Sequence, residues 1–191
     1  MVWLDGLDMH IVNLLGASFR DGYPDARHPL TRPEGAAWAE AGSNMLPIDH
    51  DHRSLTSPIF NYPYQRSREA LDQLARAREP SPWHGHKMKY ISPVHGGWAM
   101  PTLATWMQLR PRGLRTQPYR STDSTVFTVV EGRGSSVVGG ERFEWGPHDI
   151  FVAPSWLPLR HEATEDAVLF GYSDRVVQEK LDLWREETVL D

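Results

Sequence analysis

A mainly β protein built around a small barrel or sandwich is the fold class that this sequence predicts, on three observations. From about position 83 onward, short runs rich in β-branched and aromatic residues recur at regular spacing. Gly and Pro punctuate the joins between them, most visibly at Gly139-Gly140 and Gly146-Pro147. Before that point the chain lacks such runs and carries Pro and Gly in quantity instead.

The elements follow in order. Val2 to Leu7 is short, apolar and broken by Asp5 and Gly6, so it reads as the end of a strand. Met9, Val12, Leu15 and Phe19 fall at helical spacing and predict a short helix. From Arg20 to Thr56, Pro24, Pro29, Pro33 and Pro47 alternate with Gly22, Gly35 and Gly42, the signature of a connector draped over another element. Tyr64 to Arg78 is the clearest helix, with Ser67 as its expected cap, Leu71 and Leu74 on its apolar face and Pro80 stopping it.

Strands are expected at Lys87–Ile91, Leu103–Leu109, Thr125–Val130, Ser135–Val138, Glu141–Trp145, Asp149–Val152, His161–Ala163 and Ala167–Ser173. Val176 to Glu187 is expected as a closing helix with Val177, Leu181 and Trp184 on one face, a lid on the barrel. The expected organisation is thus a terminal strand over 1–8, a connector over 9–82, the barrel over 83–175 and a helix over 176–191.

Bulk composition narrows the function. A chain of 191 residues suffices for a real core, and 40% apolar with 24% charged residues is ordinary for a soluble protein. A net charge of −5 argues against nucleic acid as a partner. No apolar run reaches the roughly 18 residues that span a membrane. The opening Met-Val-Trp-Leu-Asp-Gly-Leu-Asp does not read as a signal peptide, and a cytoplasmic location is the default expectation. The absence of Cys excludes disulfides, thiolate metal sites and Cys nucleophiles. Eight Trp, fifteen Pro and nine His are many for this length; an aromatic β core with rigid loops accounts for them more simply than a metal or aromatic-substrate pocket.

Two motifs fix the barrel type. The first is Gly113, five residues, Tyr119-Arg120-Ser121, Thr125, then six residues to Gly132. The second is the Gly146-Pro-His-Asp149 turn followed by Pro154-Ser-Trp-Leu-Pro-Leu159. The pair resembles the two motifs of the cupin superfamily, double-stranded β-helix jelly rolls. In that pattern a His-x-His on one strand, a Glu on the same wall and a later His surround a divalent metal, since alternate strand residues share a face. Here Tyr119 and Ser121 stand where the two His belong, Thr125 where the Glu belongs and Leu159 where the last His belongs. None of these is a good ligand for Fe(II) or Zn(II), so no metal is expected at this site.

Longer stretches narrow the resemblance further. Met1–Asp8, Ser57–Ala70, Pro118–Gly134 and Trp145–Ala163 look like the gentisate 1,2-dioxygenase family, along essentially the whole chain. That resemblance implies a bicupin whose N-terminal barrel holds Fe(II) on three histidines, with this chain similar to the C-terminal cupin half. It implies ring cleavage of gentisate to maleylpyruvate in the intact family, with salicylate or 1-hydroxy-2-naphthoate as alternative substrates. It also implies that Trp3 and Asp5 line the iron pocket of the other barrel. The expectation is a barrel that binds no cofactor itself, is inactive alone and serves as scaffold. Its partner is expected to be a missing N-terminal cupin half or further copies of the chain. The alternative is a stand-alone cupin that binds a small aromatic acid in a lumen ringed by Tyr119, Ser121, Thr125 and His161.

The remaining candidates have simple readings. His161, two residues past Leu159, shares its face and is expected in the core, within reach of Tyr119. His50-Asp-His52 and His84-Gly-His86 lack a third ligand at a recognisable spacing and lie outside the expected lumen positions. Arg120 and Arg160 suit carboxylate forks, but clean alternation points both away from the lumen.

Overall fold

The computed structural model describes residues 3–42, 45–51 and 53–189. Its strands form two antiparallel sheets of five. One sheet has the order β1 (His86–Lys89), β2 (Ala104–Arg110), β9 (Ala167–Ser173), β4 (Thr125–Glu131), β7 (Ile150–Ala153). The other runs β10 (Glu186–Thr188), β3 (Tyr119–Ser121), β8 (Leu159–Ala163), β5 (Gly134–Val138), β6 (Glu141–Trp145).

Strand alternation builds the core. On β2 the even positions Ala104 and Trp106 face inward with Phe127 and Val129 of β4 and Leu169 of β9. The second sheet meets them with Trp145 and Ala163. Phe127 stacks on Phe151 with centroids 5.0 Å apart, and Trp106 meets Phe127 edge-on at 6.3 Å. Trp106 and Trp145 are therefore core, as the composition suggested.

The odd positions of β2, Met107 and Leu109, face outward and are covered by α3 (Tyr64–Ala77) through the fully buried Leu71. Arg68 anchors that helix at Glu131 of β4, 3.1 Å away, and the Tyr64 hydroxyl donates to the same carboxylate. The outer face of the second sheet is charged and wet, with Glu162 between Arg115 at 2.8 Å and Arg142 at 3.5 Å.

Three expectations need correction. The helix cap is Pro63, because Ser67 lies inside α3, where it donates to the Pro63 carbonyl and accepts from Tyr90. The closing helix is only α4 (Arg175–Lys180); Asp182 then adopts φ +56 and the chain turns back to form β10 on the edge of β3. Residues 3–8 carry no strand. The first helix, α1 (Met9–Leu14), is shorter than expected, and α2 (Ala36–Ala41) lies unforeseen within the connector.

Candidate functional site

The inward faces of the two sheets leave a small cavity at the end of the barrel that β3 and β10 close. It is lined by residues of β1, β2, β3, β4 and β8 and has a free volume of about 40 Å³. Tyr119, Ser121, Thr125 and Leu159 all line it, together with His161. Tyr119 of β3 opposes Leu159 of β8, so the two halves of the motif are neighbours in one sheet. The Gly146–Asp149 turn forms as the motif required: the Gly146 amide donates to Asp149 Oδ2 at 2.8 Å, and His148 takes φ +76 to complete it.

His161 does not bond Tyr119. Its Nδ1 meets Ser136 Oγ at 2.7 Å, and Ser136 accepts the indole N–H of Trp145 at 2.8 Å. The indole can only donate, so Ser136 is its acceptor and keeps its own hydrogen available to the imidazole. Burial, and then the nearby charge of Arg110, hold His161 neutral well below its usual range. Tyr119 instead donates to Glu186 of β10 at 2.8 Å, and burial with that carboxylate pushes its phenol up. Its ring meets His84 edge-on at 4.7 Å.

His84, expected outside the lumen, lines it; burial and then the Lys87 charge push its imidazole down to about 3. His86 of the same pair is buried behind β1 (3% exposed), so the two rings do not share a cavity. In the other His-x-His pair, His52 lies outside the described residues. Arg120 reaches the cavity rim, contrary to simple alternation, because β10 supplies Glu187 at 2.5 Å while Trp156 stacks beneath the guanidinium at 4.6 Å. Arg160 is exposed. Trp3 is 70% exposed and donates to Asp5 at 3.3 Å, and neither lines the lumen.

The polar lining residues that escaped the sequence reading include Lys87, Gln108, Arg110, Asp123 and the indole of Trp83. A lysine and an arginine at strand ends pass for solvent-facing charges. Extending the period-two pattern of Trp106 and Gln108 by one step would have placed Arg110 inside. Arg110 is 1% exposed and its Nη2 donates to Gln108 Oε1 at 3.0 Å. Burial pushes its guanidinium down to about 9. Lys87 opposes Gln108 across β1 and β2 and sets its ammonium 4.0 Å above the Trp106 ring. Burial, then the charge of Arg175, push it down to about 7. Asp123 is 6% exposed; burial opposes its ionisation, but hydrogen bonds from Ser173, Ser121 and Trp184 hold the carboxyl below its usual value.

This lumen does not fit a divalent metal. Iron sites of the cupin type need several imidazoles and a carboxylate converging on one point. Here the lining offers two imidazoles, His84 and His161, and the carboxylate of Asp123, already taken by Trp184, while Tyr119, Ser121, Thr125 and Leu159 fill the ligand positions beside the cations of Lys87 and Arg110. Among the described residues, no three His, Cys, Asp or Glu side chains come together to hold an ion.

Comparison with known proteins gives the family resemblance. The cupin domain family model matches residues 105–170, which run from β2 to β9. The chain is 54% identical over 186 residues to gentisate 1,2 dioxygenase 1 of Aquipseudomonas alcaligenes, covering 97% of this chain and 54% of that protein. It is 36% identical over 194 residues to a 5-aminosalicylate 1,2-dioxygenase of Comamonas sp, covering 98% of this chain and 50% of that protein. The crystal structure of a salicylate 1,2-dioxygenase from Pseudaminobacter salicylatoxidans superposes with a TM-score of 0.79 at 28% identity, covering 95% of this chain and 53% of that one. The chain spans about half the length of the curated relatives it matches.

Proposed function

Because the chain belongs to the gentisate 1,2-dioxygenase family of cupins, we propose that it serves the oxidative ring cleavage of gentisate as a metal-free barrel. In that reaction gentisate and O2 combine, the ring opens between the carboxyl-bearing carbon and the adjacent hydroxyl-bearing carbon, and maleylpyruvate results with both oxygen atoms retained. The observation that carries the reading is the side-chain set at the cupin ligand positions. Tyr119, Ser121, Thr125 and Leu159 occupy them beside the buried Arg110 and the half-buried Lys87, so the Fe(II) of such an enzyme is held outside this lumen. The role left to this barrel is structural: it presents a rigid wall and surfaces for assembly.

The free volume of the lumen, about 40 Å³, supports the scaffold role over that of an aromatic-acid pocket. Sites for ring-sized ligands start at roughly 300 Å³. The purified chain given Fe(II), O2 and gentisate is expected to yield no rise in maleylpyruvate absorbance. Turnover above the rate of free iron would refute the proposal.

The N-terminal arm supports an assembly role. Leu14 (85% exposed), Phe19 (88%) and Leu30 (100%) present large apolar side chains to solvent, more than scattered surface residues require. We propose that the arm lies against the iron-bearing barrel of the bicupin arrangement, where Trp3 and Asp5 join the wall of its pocket. Alone, the chain is expected to self-associate through the same arm. Mass measured in solution across a concentration series should exceed that of one chain; a constant monomer mass would contradict this.

A further inference from the structure

The polar groups left over in the barrel lumen are all of one kind. Arg110 uses Nη2 on Gln108, while its Nε and Nη1 are buried without a partner. The indole N–H groups of Trp83 and Trp106 are buried without a partner as well. All three residues line the same cavity, and so does Lys87. Every one of these groups donates and none accepts.

The acceptors nearby are already engaged. Asp123 receives Trp184 at 2.9 Å, together with hydrogen bonds from Ser173 and Ser121. Glu186 is taken by Tyr119. At the rim, Arg120 has Glu187 and Arg175 has Glu179 at 2.6 Å. Among the described residues, no ion pair joins Arg110 or Lys87 to a carboxylate. A buried cation with unfilled donors is costly unless something negative meets it. A cavity walled by one such guanidinium, a second cation at Lys87 and the spare indole donor of Trp83 has the parts of an anion site.

We infer that the lumen binds one small oxyanion, the size of formate or bicarbonate, held by Arg110 and Lys87 with the Trp83 indole as a further donor. Size selects within the class. By the same measure one water needs about 10–15 Å³, so about 40 Å³ admits an anion of a few atoms and no ring. Charge-assisted bonds from a guanidinium favour a planar oxyanion over a neutral molecule. Burial depresses Arg110 with nothing offsetting it, and depresses Lys87 although Asp123 and Glu186 act the other way; a bound anion raises both. The anion then does for this barrel what the metal does in its iron-holding relatives by resemblance: it satisfies the inward-facing groups.

Calorimetric titration tests this, in a buffer whose only other anion is a bulky sulfonate. Sodium formate is expected to bind once per chain, and sodium benzoate at the same concentration is not. Arg110→Met and Lys87→Met should each weaken formate binding at least tenfold, and circular dichroism checks that they fold. No formate heat with the unaltered chain overturns the proposal, as does benzoate binding equal to formate. Formate binding undiminished in the folded variants marks an adventitious ion only and overturns it too. Should neither variant fold, a bromide-soaked crystal decides: an anomalous peak beside Arg110 supports the site, and its absence overturns it.

Discussion

Gly132→Ala should lower the melting temperature by roughly 10 °C, the change expected from a loss of about 3–4 kcal/mol in a chain of this size. Gly132 closes β4 and sits at φ +77, a conformation that costs any residue with a Cβ about 1–2 kcal/mol. Space adds more. A Cβ there would lie 2.2 Å from the Asp166 carbonyl oxygen and 2.7 Å from Ala167 Cα. Both are backbone atoms of the turn into β9, which pairs with β4 and β2, so neither can retreat without opening the central sheet. Gly140→Ala is the control. Its φ of +96 imposes strain too, but nothing lies within 4 Å, so only about 1–2 kcal/mol is expected. Thermal unfolding of the two variants checks this; melting points within about 2 °C of each other would mean that the close approach carries no weight.

Acid should unfold the barrel beginning near pH 6.5. His161 is buried, and His84 is held down to about 3, both principally by desolvation and then by the cations around them. In the unfolded chain both return to about 6.5. Below that pH the unfolded state takes up protons that the folded state refuses. The contribution of these two histidines is therefore full above pH 6.5 and falls as the pH drops towards the folded values, by on the order of 1 kcal/mol per pH unit for each histidine. Against a typical total of about 5–15 kcal/mol, two such groups bring the chain close to unfolding by about pH 4. Urea unfolding between pH 7 and 4.5 measures the slope. His161→Gln, which keeps an acceptor for Ser136, should flatten it, and an unchanged slope in that variant would remove His161 from the account.

The sequence displayed its barrel because the physics there is local. β-branched runs, glycine turns and period-two alternation are visible in single stretches, and β6 and β9 carry the expected boundaries. The cupin ligand positions were legible for the same reason: Tyr119 and Ser121 share a face whatever lies around them. β10 was not legible. Glu186-Glu187-Thr188 is exposed and charged, and becomes a strand only because β3 offers an edge and Arg120 a partner. The lumen cations were hidden by the opposite effect. Lys87 and Arg110 both read as solvent residues at strand ends; Lys87 is placed by its pairing opposite Gln108, and Arg110 by an alternation that its charge masks. The partner of His161 was missed because Ser136 is 25 residues away and reached through the pairing of β5 with β8.

The central claim is that this lumen rejects a transition metal. Anaerobic equilibrium dialysis against Fe(II), followed by metal analysis of the washed protein, tests it most directly, with His161→Ala run in parallel. The account predicts far less than one iron per chain and the same residue of iron in the variant. One tightly held iron per chain that disappears with His161 would contradict it.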